Sequence, residues 1–290
     1  MPQVPADHPL LICFTSGSSG VPKPIEKSWR IIRDSSRSNV NYFSPDRGEC
    51  PSYHYAGVPA QHMWGLETSV FLPLFSNVCL VDAHAELPAD LLSHFARLPR
   101  PLVFIGTPLH LSSLLSYDRA ALKSTTNRDL SVDRILCATS PRDEELAASG
   151  ESRFSTEVHE IYGCSEVGAM AHRRTATGEP WELFAAIRFT SGPERATLAA
   201  APYLDSQVEL TDLIEKLGEG RFKLLGRSDD VIKVAGKRGS LSQINKTLLR
   251  CPGVIDGAAF LPAETERTTT RVAAVVELEP GYSKAELLAF

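Results

Sequence analysis

The chain has 290 residues, of which 43% are hydrophobic and 22% charged, and its formal net charge is -5. That length can bury the core of one large domain plus a small one, or of two medium ones, and the acidic balance excludes the basic field that nucleic acid requires. Met1 to Pro9 lack the basic and apolar regions of a secretory signal, and no later run is apolar for long enough to cross a membrane, so a cytoplasmic protein without membrane or nucleic-acid partners is expected. The six cysteines show no C-x-x-C pairing, which suits free thiols.

In chain order, Leu10 to Phe14 is a short apolar run and reads as a buried strand. It feeds the Ser/Gly-rich segment Thr15-Ser16-Gly17-Ser18-Ser19-Gly20-Val21-Pro22-Lys23, after which Trp29 to Arg33 opens a helical pattern. Strands are predicted at Val70 to Leu72, Val78 to Val81, Leu102 to Ile105 and Arg134 to Cys137, with helix-length spacers between them. The alternation predicts an α/β fold with a largely parallel sheet. From Trp181 to about Leu225 short Gly- and Pro-punctuated pieces predict a β-rich subregion closing the large domain. A helix from Leu241 to Arg250 and strands at Val254 to Leu261 and Arg271 to Leu278 then predict a small α+β unit. Residues 1–228 are taken as the large domain and 229–290 as the small one.

The segment from Thr15 to Lys23 has what a phosphate site needs: glycines that let consecutive N–H groups turn toward an anion, hydroxyl donors, and an ammonium. A solvated turn has the same composition, so spacing must decide. Gly17 and Gly20 are three apart and Pro24 follows Lys23, which excludes a Walker loop. The glycine pattern also fails the dinucleotide fingerprint, and Val21 stands where a nucleophile elbow needs its last glycine.

The loop resembles the signature of the adenylate-forming superfamily: acyl- and aryl-CoA synthetases, luciferases and peptide-synthetase adenylation domains. Four further segments resemble that family in its own order: Pro59 to Gly65, Ile161 to Glu166, Thr211-Asp212, and Gly226 to Gly236. The resemblance implies attack of a carboxylate on the α-phosphate of ATP, release of pyrophosphate, and transfer of the acyl group to a thiol. ATP and Mg2+ are the cofactors implied, and the small domain is expected to be mobile.

On that resemblance Thr15, Ser16, Gly17, Ser18, Ser19, Gly20 and Lys23 cradle the outer phosphates. Ala138 and Thr139 supply contacts to adenine and acyl group, Tyr162 lies against adenine, and Gly163 belongs to both the nucleotide site and the acyl pocket. Ser165 reaches the α-phosphate and Glu166 holds the metal. Asp212 takes the ribose hydroxyls, within a Thr-Asp pair that lacks the family's intervening Gly, and Arg227 contacts ribose or phosphate. Asp229 is the hinge. His62 and Trp64 flank the acyl pocket, with His62 also in the catalytic set alongside Lys23, Ser165 and Glu166. Outside this pattern, Glu166 would read as a solvated carboxylate and His62 as a structural histidine.

The loop, continued by Pro24-Ile25, together with Pro59 to Glu67 resembles ligases of aryl-polyene and xanthomonadin-type pigment synthesis. This implies an aromatic acid resembling 4-hydroxybenzoate, passed to an acyl carrier protein or coenzyme A. The family has a segment before the phosphate loop and a catalytic Lys near its C-terminus, and neither has a match between Met1 and Phe290, so both domains are expected to be incomplete. Lys233, Lys237 and Lys284 do not fit the Lys motif, and Gly239, Gln243 and Asn245 replace the family's usual Ile, Glu and Glu. A non-catalytic remnant that binds ATP or an acyl-adenylate, and a ligase for a fatty acid, remain as alternatives on the sequence.

Overall fold

A computed structural model describes residues 4–16, 22–44, 51–83, 85, 87–117, 130–138, 144–178, 180–193, 196–227, 231–234, 237–262 and 272–289. The chain divides into two compact units, one of Met1–Thr190 with Leu198–Val208 and Lys216–Lys223, the other of Ser191–Thr197, Glu209–Glu215 and Leu224–Phe290.

The first unit is α/β, as the alternation predicts. Strands β1 (Pro9–Ser16) and β2 (Pro22–Ser28) form an antiparallel hairpin of their own, followed by helix α1 (Trp29–Phe43), capped by the Ser28 hydroxyl. The main sheet contains β3 (Ser52–Ala56), β4 (Val78–Leu80), β5 (Leu102–Gly106), β6 (Arg134–Cys137) and β7 (Val158–Cys164), parallel and in the order β4, β3, β5, β6, β7. It continues antiparallel through β8 (Gly168–Arg174) and β9 (Trp181–Leu183), with Phe222 registered on Trp181. The sheet is therefore mixed, parallel at its centre and antiparallel where the β-rich subregion was expected.

Every residue of β5 is buried, as befits a central parallel strand covered on both faces. Phe104, Phe95, Leu111, Ile135 and Phe154 form the middle of the core, all with no exposed surface. Helices Pro88–Phe95, Pro108–Ser116 and Glu144–Phe154 supply Phe95, Leu111 and Phe154.

Two sequence expectations are corrected. Val70 to Leu72 is helical: Met63–Leu66, a π-helical turn Glu67–Phe71 and Leu72–Phe75 follow one another without a break. Trp64, Thr68, Phe71 and Leu72 are buried while Val70 is exposed, a helical period that a three-residue window hides. Leu10 to Phe14 does form a strand, but Leu10, Ile12 and Phe14 are 37%, 54% and 69% exposed. The hairpin is a separate two-stranded sheet, so alternation puts one of its faces outward.

Gly65 allows the Pro59 to Gly65 segment to fold on itself. A Cβ there would lie 2.1 Å from the Pro59 carbonyl oxygen and 3.0 Å from that of Val58, so the Gly65→Ala variant must shift backbone rather than a side chain. Thermal melts are expected to show a loss of about 2 kcal/mol, because overpacking outweighs the helix propensity that Ala adds; an unchanged midpoint would contradict this close approach.

In the second unit, strands Val231–Val234 and Lys237–Ser240 pair antiparallel, as do Val254–Phe260 and Ala273–Leu278. The helix Leu241–Leu248 packs on the second pair, where the Asn245 side-chain oxygen accepts from the Ala259 N–H. Among the described residues no helix is long and apolar enough to cross a membrane. The described cysteines, Cys13, Cys79, Cys137, Cys164 and Cys251, are all free thiols.

Candidate functional site

The antiparallel register of the hairpin sets Thr15 opposite Lys23 and Ser16 opposite Pro22. The two ends of the Ser/Gly-rich segment are thus held side by side, and Lys23 is exposed. Gly17, Ser18, Ser19 and Gly20 lie outside the described residues, as do Thr139 and Asp229, and of Thr15 and Ser16 only the backbone is described. Ala138 is buried directly after β6.

At the carboxyl end of β7 the chain turns through Ser165, Glu166 and Val167 into β8. Ligand sites in open α/β sheets gather at carboxyl strand ends. Ser165 is half-buried and Glu166 exposed. Gly163 is required by the turn: a Cβ there would meet the Gly168 carbonyl oxygen at 2.5 Å, while a bulge separates Tyr162 from Gly163 in the pairing with β8. The Tyr162 ring rests against Trp181 at 5.7 Å and Phe222 at 5.8 Å. Behind it Arg173 lies over the Trp181 ring at 4.5 Å and forms a buried ion pair of 2.7 Å with Glu160.

His62 is exposed and its Nδ1 accepts from the Trp64 N–H at 3.2 Å, capping the helix that begins at Met63. Trp64 is 4% exposed, with its ring edge-on to Phe43 at 5.6 Å. Its indole nitrogen is buried and has no hydrogen-bond partner among the described residues.

Two charged residues to which the sequence reading gave no role lie beside the turn: Lys27, outside every motif, and Glu67, the last residue of the Pro59 to Glu67 segment. Lys27, the penultimate residue of β2, is 1% exposed, and its ammonium donates to the Glu166 carbonyl oxygen at 2.8 Å. Glu67, in the π-helical turn, is 7% exposed, and its carboxylate accepts from the Ala169 N–H at 3.2 Å. Burial pushes the Glu67 carboxyl up to about 7, against the pull of the Ala169 N–H and Lys27. Burial lowers the Lys27 pKa, opposed chiefly by Glu67 and also by Cys13, Cys164 and Glu166. The Cys164 thiol is pushed up to about 12, mainly by burial, which leaves it protonated and unreactive at neutral pH. The available sequence signal was a Glu inside the apolar helix Met63 to Leu72 and a Lys at an inward position of β2.

In the second unit, Arg227 donates to the Thr211 hydroxyl at 3.2 Å, so the Thr211-Asp212 and Gly226-Arg227 motifs meet although 16 residues separate the bonded pair. Asp212 opens the strand Asp212–Gly218 and is half-buried.

Residues 1–190 match the AMP-binding enzyme family. The chain belongs to that family. It is 28% identical over 244 residues to a 4-coumarate–CoA ligase of Rhodobacter capsulatus, a match covering 83% of this chain and 57% of that protein. It is 22% identical over 260 residues to a 3,4-dihydroxybenzoate–[aryl-carrier protein] ligase of Bacillus anthracis, with coverages of 88% and 60%. Among solved structures, ATP-bound MatB from Rhodopseudomonas palustris superposes with a TM-score of 0.79 at 18% identity, over 99% of this chain and 61% of that one. The chain thus spans less than two thirds of the length of these relatives, and the last likeness is one of fold.

Among the described residues no three His, Cys, Asp or Glu side chains gather as a metal cage. The exposed carboxylate of Glu166 suits magnesium, which takes one or two carboxylates and fills its remaining positions with phosphate oxygens and water.

Proposed function

We propose that the protein is an ATP-dependent ligase that activates an aromatic carboxylic acid as its acyl-adenylate and passes the acyl group to a thiol. One observation carries this reading: β2 carries Lys23 near its start, beside the phosphate loop, and Lys27, bonded to the Glu166 carbonyl, near its end. A single strand therefore links the phosphate-binding motif to the Ser165-Glu166 turn. Family membership and the names of the aromatic-acid relatives support the same chemistry.

Both reactants are anions, so the site must neutralise charge and hold the reacting atoms in line. Lys23 supplies a cation at the outer phosphates, with the loop hydroxyls and N–H groups as further donors. Ser165 donates to the α-phosphate, and Glu166 anchors Mg2+, which screens phosphate charge when bound. Tyr162 lies against adenine, with Gly163 and Ala138 beside it; His62 and Trp64 border the acyl group. Asp212 and Arg227 take the ribose side, and Asp229 is the swivel between a domain of residues 1–228 and one of 229–290. The resemblance of the Thr15 to Ile25 and Pro59 to Glu67 segments to pigment-cluster ligases favours a hydroxybenzoate as the acid. The acceptor is then an acyl carrier protein or coenzyme A.

Carboxylate-dependent exchange of pyrophosphate into ATP, run on a panel of benzoic, cinnamic and fatty acids, tests this. Exchange is expected with a hydroxylated benzoic acid. Lys23→Ala and Glu166→Ala should each reduce it roughly 10- to 100-fold, the cost of about 1.5–3 kcal/mol for a charged contact. Nucleotide binding without exchange for any acid would instead support a non-catalytic protein, and a preference for long-chain acids would overturn the aromatic assignment.

A further inference from the structure

The turn between β7 and β8 is gripped from both sides by the two buried charges. Lys27 reaches the carbonyl of Glu166 at the front of the turn, and Glu67 takes the N–H of Ala169 at its back. Gly168 lies between them with φ of +97°, and a Cβ there would stand 2.5 Å from Glu67 Oε1. The carboxylate therefore fills the space that a side chain at residue 168 would occupy. The two grips come from distant parts of the chain, the end of the hairpin and the π-helical turn. A π-helical turn inserts an extra residue per turn and is found disproportionately at functional positions.

We propose that Lys27 and Glu67 are positioning residues that hold the Ser165 to Val167 turn, and with it the Glu166 carboxylate, in the orientation the nucleotide site requires. This rests on the ligase reading above. Removing two charges from water costs more than most hydrogen bonds return, and an apolar pair of similar volume would usually stabilise a fold as well or better. Their presence at this turn is better explained by what they orient.

Amide hydrogen exchange in the intact protein tests the grip without reference to catalysis. Lys27→Met and Glu67→Leu are expected to speed exchange at the amides from Glu166 to Ala169 by tenfold or more, with Leu102–Gly106 in the central strand unchanged. Glu67→Gln, which keeps an acceptor oxygen, should restore protection at Ala169. Should one removal variant fail to fold, the other and the Gln variant give the reading. Unchanged protection of the turn overturns the proposal.

The second readout is pyrophosphate exchange against magnesium concentration. Lys27→Met should raise the magnesium needed for half-maximal rate at least fivefold; loss of rate that merely follows loss of folded protein, with the magnesium response unmoved, overturns the catalytic consequence. If the wild-type protein exchanges with no acid, the ligase reading fails, while the amide measurement still decides whether the turn is held.

Discussion

Acidification is expected to destabilise the first unit steeply below pH 6.5, with His54 as the largest single contributor. His54 sits in β3 with no exposed surface. Its Nε2 contacts the Ser52 hydroxyl at 3.2 Å, while Nδ1 is buried without a hydrogen-bond partner among the described residues. Burial holds its pKa down to about 3, against an ordinary value of 6.5. Because the folded value is depressed, full stability is present above the unfolded pKa and is lost as pH falls toward the folded one. In that window the unfolded chain binds a proton that the folded chain refuses, at about 1.4 kcal/mol per pH unit. By pH 4 His54 alone should cost on the order of 3 kcal/mol.

His172, stacked on Tyr42 at 3.9 Å, acts with the same sign, since burial and its neighbours His159 and Arg134 hold it down to about 4. Glu67 opposes them. Its raised pKa gives a contribution complete below 4.5 and lost as pH rises through about 7. The check is thermal melting from pH 7.5 to 4 of wild type and His54→Gln. The variant should lose roughly 3 kcal/mol less over that range, and parallel curves would show that His54 titrates normally.

How far the molecule was legible in its sequence depends on the length over which each signal repeats. The runs Leu102 to Ile105 and Arg134 to Cys137 became buried parallel strands because continuous β-rich apolar stretches bounded by turns have few other uses. Val70 to Leu72 was equally apolar but sits within a helix whose period shows only from Trp64 onward. The hairpin was visible as a strand, whereas its exposure depends on what covers it. Among site residues, the motif spacing brought Thr15 opposite Lys23 and Thr211 to Arg227. Lys27 and Glu67 were visible only as charges among apolar neighbours; their roles were not legible, since they act through backbone groups of Glu166 and Ala169, contacts that no spacing along the chain encodes.

Truncating Phe104 is expected to cost about 4 kcal/mol, within the range for a buried Phe→Ala change. Phe104 is the middle residue of β5 and has no exposed surface. Its ring lies 5.2 Å from that of Phe95 and 6.1 Å from that of Tyr55, both edge-on or tilted. Such contacts add about 0.5–1.5 kcal/mol beyond burial. Two glycines frame the ring: a Cβ at Gly106 would meet it at 2.8 Å and one at Gly57 at 3.3 Å. Neither can advance a side chain into the vacated volume, so the cavity stays largely open and the cost lies toward the upper end. β5 pairs with β3 and β6 in the parallel core, and β6 pairs in turn with β7, whose end carries the Ser165-Glu166 turn. Urea denaturation should therefore show a lower midpoint with unchanged slope for Phe104→Ala. Phe104→Leu should lose about half as much, since it leaves a smaller void. A loss below about 1 kcal/mol for the Ala variant would mean that the core collapses around the site, which the backbone at Gly57 and Gly106 argues against.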